Sequence, residues 1–180
     1  MTKVFVAIDG GNAYRKLKQL GISKLSEFNY VAFAEWLVGK DQLADLCYYV
    51  GRIREEPGNP KSKVLKANQD RFLANLANQG VSVKTGYILK SDGDYTEKGV
   101  DVQIAVDVCM KAVRNDYGRL ILVSSDTDLI PAIKEVKTLG KKVEYVGFEA
   151  SPSFALIRFF NSRRLLRKED LEPFIKKEKS

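Results

Sequence analysis

Three places in the 180-residue sequence put carboxylates after expected strands. Asp9 closes Val4-Phe5-Val6-Ala7-Ile8 and is followed by Gly10-Gly11-Asn12. Asp101 comes just after Lys98-Gly99-Val100, at the start of a helical pattern. Asp126 and Asp128 follow Leu120–Val123, in Ser124-Ser125-Asp126-Thr127-Asp128. Carboxylates crowded at one point repel and raise one another's pKa. A divalent cation relieves that repulsion, and Mg²⁺ held by carboxylates and water can activate a water and steady the leaving oxygen of a phosphodiester. Taken singly, Asp at such positions has a second reading. Asp caps helices well, and the helix dipole favours anions in the first turn. Only convergence of all three places on one edge separates a site from three caps.

Composition narrows the chemistry. The chain has no histidine and two cysteines, which removes Ser-His-Asp and Cys-His catalysis and any His- or Cys-rich zinc site. Hydrolysis would have to run on carboxylates and a hard, oxygen-liganded ion. The net charge is +7, from 30 basic and 23 acidic residues. From Arg158 to Ser180 there are eight Lys/Arg against four Asp/Glu. Such a surplus favours polyanionic partners. No apolar run approaches the roughly eighteen residues of a membrane span, and Met-Thr-Lys-Val leads straight into a strand, not a secretory signal. The expectation is a cytoplasmic protein with Cys47 and Cys109 as reduced core thiols.

The elements that must position the acids can be read from the apolar periodicity. Strands are expected at 4–8, 43–50, 81–89, 120–123 and 143–146. Helices are expected at 13–20, from the Asn29 cap to Val38, at 64–79, from Lys98 to about Asn115, after Asp128, and at 152–160. Ser91–Tyr95 reads as a turn, and Leu165-Leu166 as a short segment. Strands alternating with helices imply right-handed crossovers and a mainly parallel sheet covered on both faces. The fold expected is therefore a single-domain, three-layer α/β/α sandwich over 1–170, with a basic tail at 171–180. The loops after the strands open on one edge, where ligands of such sheets bind. Asp9, the Arg52 loop, the Asp92 loop and Asp126 should gather there. Asp101 shares a stripe with Ile104, Ala105, Val108 and Ala112, which should face the sheet. Asp107 lies two turns lower and off that stripe, so a structural role is expected for it.

Ile8-Asp9-Gly10-Gly11-Asn12, Lys98-Gly99-Val100-Asp101 with Asp107 beyond it, and Ser124-Ser125-Asp126-Thr127-Asp128-Leu129 resemble the three motifs of the NYN domain. This is a branch of the PIN-like nuclease superfamily, and the LabA-like group is the nearest in pattern. The stretch Ser151–Leu166 is similar to the last motif of the family. The resemblance implies a sheet of order 3-2-1-4-5 and a ribonuclease site loaded with Mg²⁺ or Mn²⁺. It implies Asp9, Asp101 and Asp126 as metal ligands, with Asp128 close by in the catalytic group. It implies that Asn12 orients Asp9 or a metal-bound water, that Ser124 or Ser125 lines the site, and that Lys98 meets a phosphate or carboxylate. One departure stands out. Asn161 occupies the region where the family often has a further acid.

Other substrate contacts are expected from charge and aromaticity. Arg52, Arg54, Lys61, Lys63 and Lys66 cluster in and after the second strand's loop, and Tyr95 could stack on a base. Cation and ring together suit single-stranded RNA. Arg158, Arg163, Arg164 and Arg167 could add phosphate contacts. The opposing readings are a solvated loop partly neutralised by Glu55 and Glu56, and a packed aromatic. Two functional alternatives stay open beside the nuclease. One is a catalytically silent RNA-binding or regulatory module using the same cleft. The other is a phospho-acceptor or nucleotide-binding domain, against which stands the lack of a Gly-rich phosphate loop. A homodimer is an assembly left open.

Overall fold

The structure, a computed structural model, describes residues 1–22, 25–91 and 94–175, without the side chains of 89–91 and 94–96. Among the described residues, the backbone runs β1 (Lys3–Asp9), α1 (Gly10–Gln19), α2 (Tyr30–Val38), β2 (Gln42–Arg52), α3 (Pro60–Asn78), β3 (Ser82–Ser91), β4 (Asp94–Lys98), α4 (Val100–Val113), β5 (Arg119–Val123), α5 (Ile130–Thr138), β6 (Lys142–Phe148), α6 (Phe154–Ile157), β7 (Ser162–Leu166) and α7 (Lys168–Leu171). A one-turn 3₁₀ segment at Thr127–Leu129 precedes α5, and another at Glu172–Phe174 follows α7.

Among the described residues one sheet holds every strand, in the order β4-β3-β2-β1-β5-β6-β7. All neighbours are parallel except β3 and β4, which form an antiparallel hairpin. The five strands read from sequence take the expected 3-2-1-4-5 order, and one further strand is added at each edge.

β1 is the central strand because it is apolar on both sides. Val4 to Ile8 are at most 1% exposed. Val4, Val6 and Ile8 pack with α1, α2 and α3 on one face, while Phe5 and Ala7 pack with α4 and α5 on the other. This is the burial expected of a parallel strand covered by two helical layers. Asn29 caps α2 as expected, its side chain accepting from Ala32 N–H at 3.0 Å. α3 starts earlier than the periodicity suggests, at Pro60, because Asn59 supplies its cap and proline fits the first turn.

Several expectations are corrected. Ser91–Tyr95 is not merely a turn. It is the end of a hairpin whose return strand is β4, and α4 accordingly begins at Val100, not at Lys98. Asp92 lies outside the described residues. The helix expected at 152–160 shortens to Phe154–Ile157, and 162–166 forms β7 instead. The packed chain also runs past 170. Leu171 is fully buried, and the Phe174 ring lies against Phe28, Phe33 and Trp36. The tail boundary therefore moves beyond Ile175, whose backbone bridges to Phe28, and residues 176–180 lie outside the described residues. No described helix is long and apolar enough to cross a membrane.

Candidate metal centre

The register of the sheet brings the first and last acids together. Ile8 pairs with Val123, so Asp9 and Ser124 each follow an aligned strand end. The Ser124 hydroxyl donates to Asp9 Oδ2 at 2.7 Å. The same Ser124 oxygen accepts from Asp126 N–H at 3.1 Å, which ties the two loops into one unit. Asp9 is also the N-cap of α1, its Oδ1 accepting from Asn12 N–H at 3.0 Å. Asp126 caps the following 3₁₀ turn by accepting from Asp128 N–H at 2.9 Å. The cap reading and the site reading are thus both realised, in the same side chains.

Asp101 comes from the other direction. Gly99 turns the chain with φ of 82°, in the left-handed region, and α4 starts immediately. Val100, Ile104, Val108 and Ala112 are buried against the sheet, which leaves Asp101 over the strand ends. Carboxylate oxygens of Asp9, Asp101 and Asp126 lie within 4.8 Å of one another. Burial pushes the Asp9 carboxyl above its ordinary pKa, and the charges of Glu97 and Asp126 add to this, against two hydrogen bonds that lower it. Asp101 is raised first by desolvation, then by Asp126, Asp9 and Asp128. The shared oxygen-only donor set and the unrelieved repulsion fit a hard divalent cation. Asn12 Oδ1 fits as well, being buried beside Asp9 without a hydrogen-bond partner.

A fourth acid at this edge was not singled out from sequence. Glu97 on β4 reaches back across the sheet, and its Oε2 accepts from Gly51 N–H at 2.6 Å. Its Oε1 would lie 3.3 Å from a Cβ placed on Gly11, and Asp9 Oδ1 3.8 Å from the same point. Glu97 therefore stands beside Asp9 with only glycine between them. Sequence analysis missed it because β4 was read as a turn and helix start. The period-two alternation of Asp94–Lys98 could have revealed it, since it sends Glu97 and Lys98 to opposite faces. Lys98 is exposed, on the other face of β4 from Glu97.

The remaining expected residues divide. Ser125 turns away, its hydroxyl 3.3 Å from that of Tyr145. Asp128 is exposed and stands outside the cluster, though its charge acts on Asp101. Asp107 accepts from Tyr49 O–H at 3.0 Å and from Gln103 at 2.9 Å, a structural role as expected. Arg52 pairs with Asp70 at 2.8 Å, as does Lys66 at 3.0 Å, so both are committed to α3. Arg54 instead lines a cavity of about 840 Å³ with Lys61, two acids, Glu55 and Glu56, and the apolar Ile53, Leu65 and Ile88. That cavity adjoins the Glu97 contact, since Gln69 accepts from Ile53 N–H and donates to Gly51 C=O. The Tyr95 side chain lies outside the described residues. Arg164 pairs with Glu144 and stacks on Trp36, and Arg167 pairs with Glu149, so neither is free for phosphate.

Asn161 is resolved differently from the expectation. Its side chain accepts from Val143 N–H at 2.9 Å, at the amino end of β6. That is the opposite edge of the sheet from the acids, because every parallel strand presents its carboxyl end to the site. Asn161 therefore lies away from the Asp9, Asp101 and Asp126 cluster.

The sheet order and the layers on its two faces are consistent with a PIN-like α/β/α fold. The NYN domain family model matches residues 3–162, nearly the whole chain, and the protein belongs to that family. It is 27% identical over 154 residues to the uncharacterized protein MJ0482 of Methanocaldococcus jannaschii, matching 86% of this chain and 51% of that protein. The chain thus spans about half the length of this relative. A crystal structure of a protein of unknown function, VPA0982 from Vibrio parahaemolyticus, is similar with a TM-score of 0.69 and 24% identity, covering 94% of this chain and 95% of that one. This second likeness concerns the fold.

Proposed function

We propose that the protein is a metal-dependent ribonuclease that hydrolyses phosphodiester bonds of single-stranded RNA. The observation that carries this reading is the meeting of Asp9, Asp101 and Asp126 carboxylates within 4.8 Å. These three would hold Mg²⁺ or Mn²⁺. When bound, the ion would supply an activated water and neutralise charge on the phosphate. The protein's part is preorganisation. Ser124 and the Asn12 amide fix the two oxygens of Asp9. The buried Asn12 Oδ1 is an acceptor suited to a water proton. Asp128, at the mouth, adds negative charge that favours cation capture. Arg54 and Lys61 line the neighbouring cavity together with Glu55 and Glu56, and would be the cations there that meet a phosphate of the strand. A catalytically silent RNA-binding or regulatory module using the same cleft is the second outcome that the test distinguishes.

The test is cleavage of labelled single-stranded RNA with Mn²⁺ by wild type, Asp9→Asn and Asp126→Asn. The expected result is cleavage by wild type and a loss of at least about 100-fold in each variant, the scale of removing a charge-stabilising group. Equal cleavage by all three would overturn the assignment. RNA bound intact, with no Mn²⁺ uptake, would identify the silent module.

A further inference from the structure

Phe154 is 73% exposed, more than any other large apolar side chain of the described residues after the terminal Met1. A single apolar residue in water is ordinary, and its place in the fold decides what it means. Phe154 follows the carboxyl end of β6, on the edge of the sheet that holds the acids. The segment before it is fastened to both loops of the metal centre. Lys16 Nζ, on the helix that Asp9 caps, donates to Ser151 Oγ. Ser153 N–H donates to the Tyr145 hydroxyl at 3.1 Å. That hydroxyl lies 3.3 Å from the Oγ of Ser125, the residue between Ser124 and Asp126. Tyr145 reaches the edge by lying along its own strand over Gly147, where a Cβ would meet the phenol oxygen at 2.1 Å. A braced loop thus sets Phe154 outward.

The surroundings are cationic. Arg158 lies four residues on, on the same face of the turn as Phe154. It is exposed and has no hydrogen-bond or ion-pair partner among the described residues. On α5, Lys134 stands over the Phe159 ring at 4.9 Å, and Lys137 donates to the Phe159 carbonyl at 2.9 Å. The neighbouring acids are engaged elsewhere. Glu149 is held by Arg167, and the charge of Glu135 acts on Cys109 of α4, on the other flank of α5. Asp126 and Asp128 act on Asp101, on the metal side.

We propose that Phe154 is the platform on which a base of single-stranded RNA stacks as the strand leaves the metal centre over β6, with Arg158 holding the phosphate beside that base. An exposed ring next to a free guanidinium suits a single strand of any sequence, since every base has a face to stack. Bases in a duplex are already stacked on one another, so the platform selects unpaired strands. β6 lies two strands from β1, about 10 Å at the usual spacing. The nucleotides next to the one at the metal can span that distance. RNA would then cross the carboxyl edge from the Arg54 cavity, past the acids, to Phe154. The platform rests on the ribonuclease reading for its substrate. It is tested by binding without metal, so that its failure and the failure of catalysis are read separately.

The experiment is fluorescence anisotropy, in a chelator, of a fluorescein-labelled oligouridylate of about twelve nucleotides, within the usual site size of a single-strand groove. A second strand of the same length carries abasic spacers in place of its bases. Phe154→Ala should weaken oligouridylate binding about tenfold, the scale of one lost base stack. Phe154→Trp should keep the wild-type affinity, and both variants the wild-type melt, because the side chain is exposed. The abasic strand should bind wild type and Phe154→Ala alike. Leu139→Ala, exposed at the amino edge of the sheet, should bind oligouridylate as wild type. Arg158→Ala should reduce the slope of log affinity against log salt by about 0.7, one phosphate contact on a single strand. No binding of oligouridylate by wild type, equal binding by Phe154→Ala, or a loss of the same size on the abasic strand would overturn the platform. An unchanged salt slope in Arg158→Ala would overturn the phosphate contact. Binding that depends on Phe154, with no cleavage by wild type in Mn²⁺, would keep the platform and sink the nuclease alone.

Discussion

The Glu97 carboxylate accepts a 2.6 Å hydrogen bond from the Gly51 backbone N–H and thereby stands one glycine away from Asp9. This contact spans β3, joining the hairpin strand β4 to the carboxyl end of β2. It works only because Gly51 has no side chain. A Cβ there would lie 2.5 Å from Glu97 Oε2 and 2.7 Å from its Cγ. Gly51→Ala should therefore swing Glu97 away from the metal centre while leaving the sheet folded. The expected outcome is at least about a tenfold loss of Mn²⁺-dependent RNA cleavage, the scale of a misplaced charged group, with a near wild-type melt. Wild-type cleavage by Gly51→Ala would show that Glu97 is a bystander.

Asp9 should cost stability for the sake of the site. Its folded pKa is raised, chiefly by burial, so the folded chain binds a proton more readily than the unfolded chain. The penalty is absent below the ordinary carboxylate pKa, and it grows as pH rises through the folded value. At neutral pH without metal, Asp9→Asn should be more stable, by on the order of 1 kcal/mol. That corresponds to about 2–4 °C in Tm for a domain of this size. Thermal melts in a chelator at pH 7 check this. A lower Tm for Asp9→Asn would mean that the two hydrogen bonds to Asp9 outweigh its burial.

The same shifts set the pH dependence of metal binding. Protons compete for the ligands, and Asp9 and Asp101 both hold them above the ordinary value of 3.8. Mn²⁺ affinity should thus fall on acidification, starting at a higher pH than for unperturbed carboxylates. Calorimetric titrations from neutral pH down to the ordinary carboxylate pKa, on wild type and on Asp101→Asn, read this directly. An affinity that falls only where unperturbed carboxylates take up protons would contradict the raised values.

Asn161→Asp should change neither Mn²⁺ affinity nor cleavage. The substituted carboxylate would still accept from Val143 N–H, at the amino edge of the sheet, far from the acids. A gain of more than about threefold in affinity, beyond the usual surface-charge effect, would show that residue 161 acts on the metal centre after all.

Much of the frame was legible because its signals are local. The apolar run of β1 ending in Asp9, and the run of β5 ending before Ser124, mark buried parallel strands with polar groups at their carboxyl ends. Ile104, Val108 and Ala112 mark the sheet-facing side of α4, and hence the position of Asp101. The edges were less legible. β7 is short and carries Arg163 and Arg164, the charged composition that guards an edge strand and hides it from a hydrophobicity reading. β4 and Glu97 were missed because the hairpin is polar and its role depends on a partner, Gly51, far away in sequence. The commitment of Arg52 to Asp70, and of Arg164 and Arg167 to Glu144 and Glu149, is likewise a tertiary fact. No property of those arginines alone distinguishes a paired cation from one open to RNA.

The most direct measurement is the anomalous difference map of a crystal soaked in Mn²⁺. The expected result is a peak held by oxygens of Asp9, Asp101 and Asp126, at Mn–O distances near 2.2 Å, a value typical of hard-ion coordination, and absent in Asp126→Asn crystals. A map with no peak there at saturating Mn²⁺, or with the ion bound elsewhere, would contradict the reading of these three carboxylates as one metal centre.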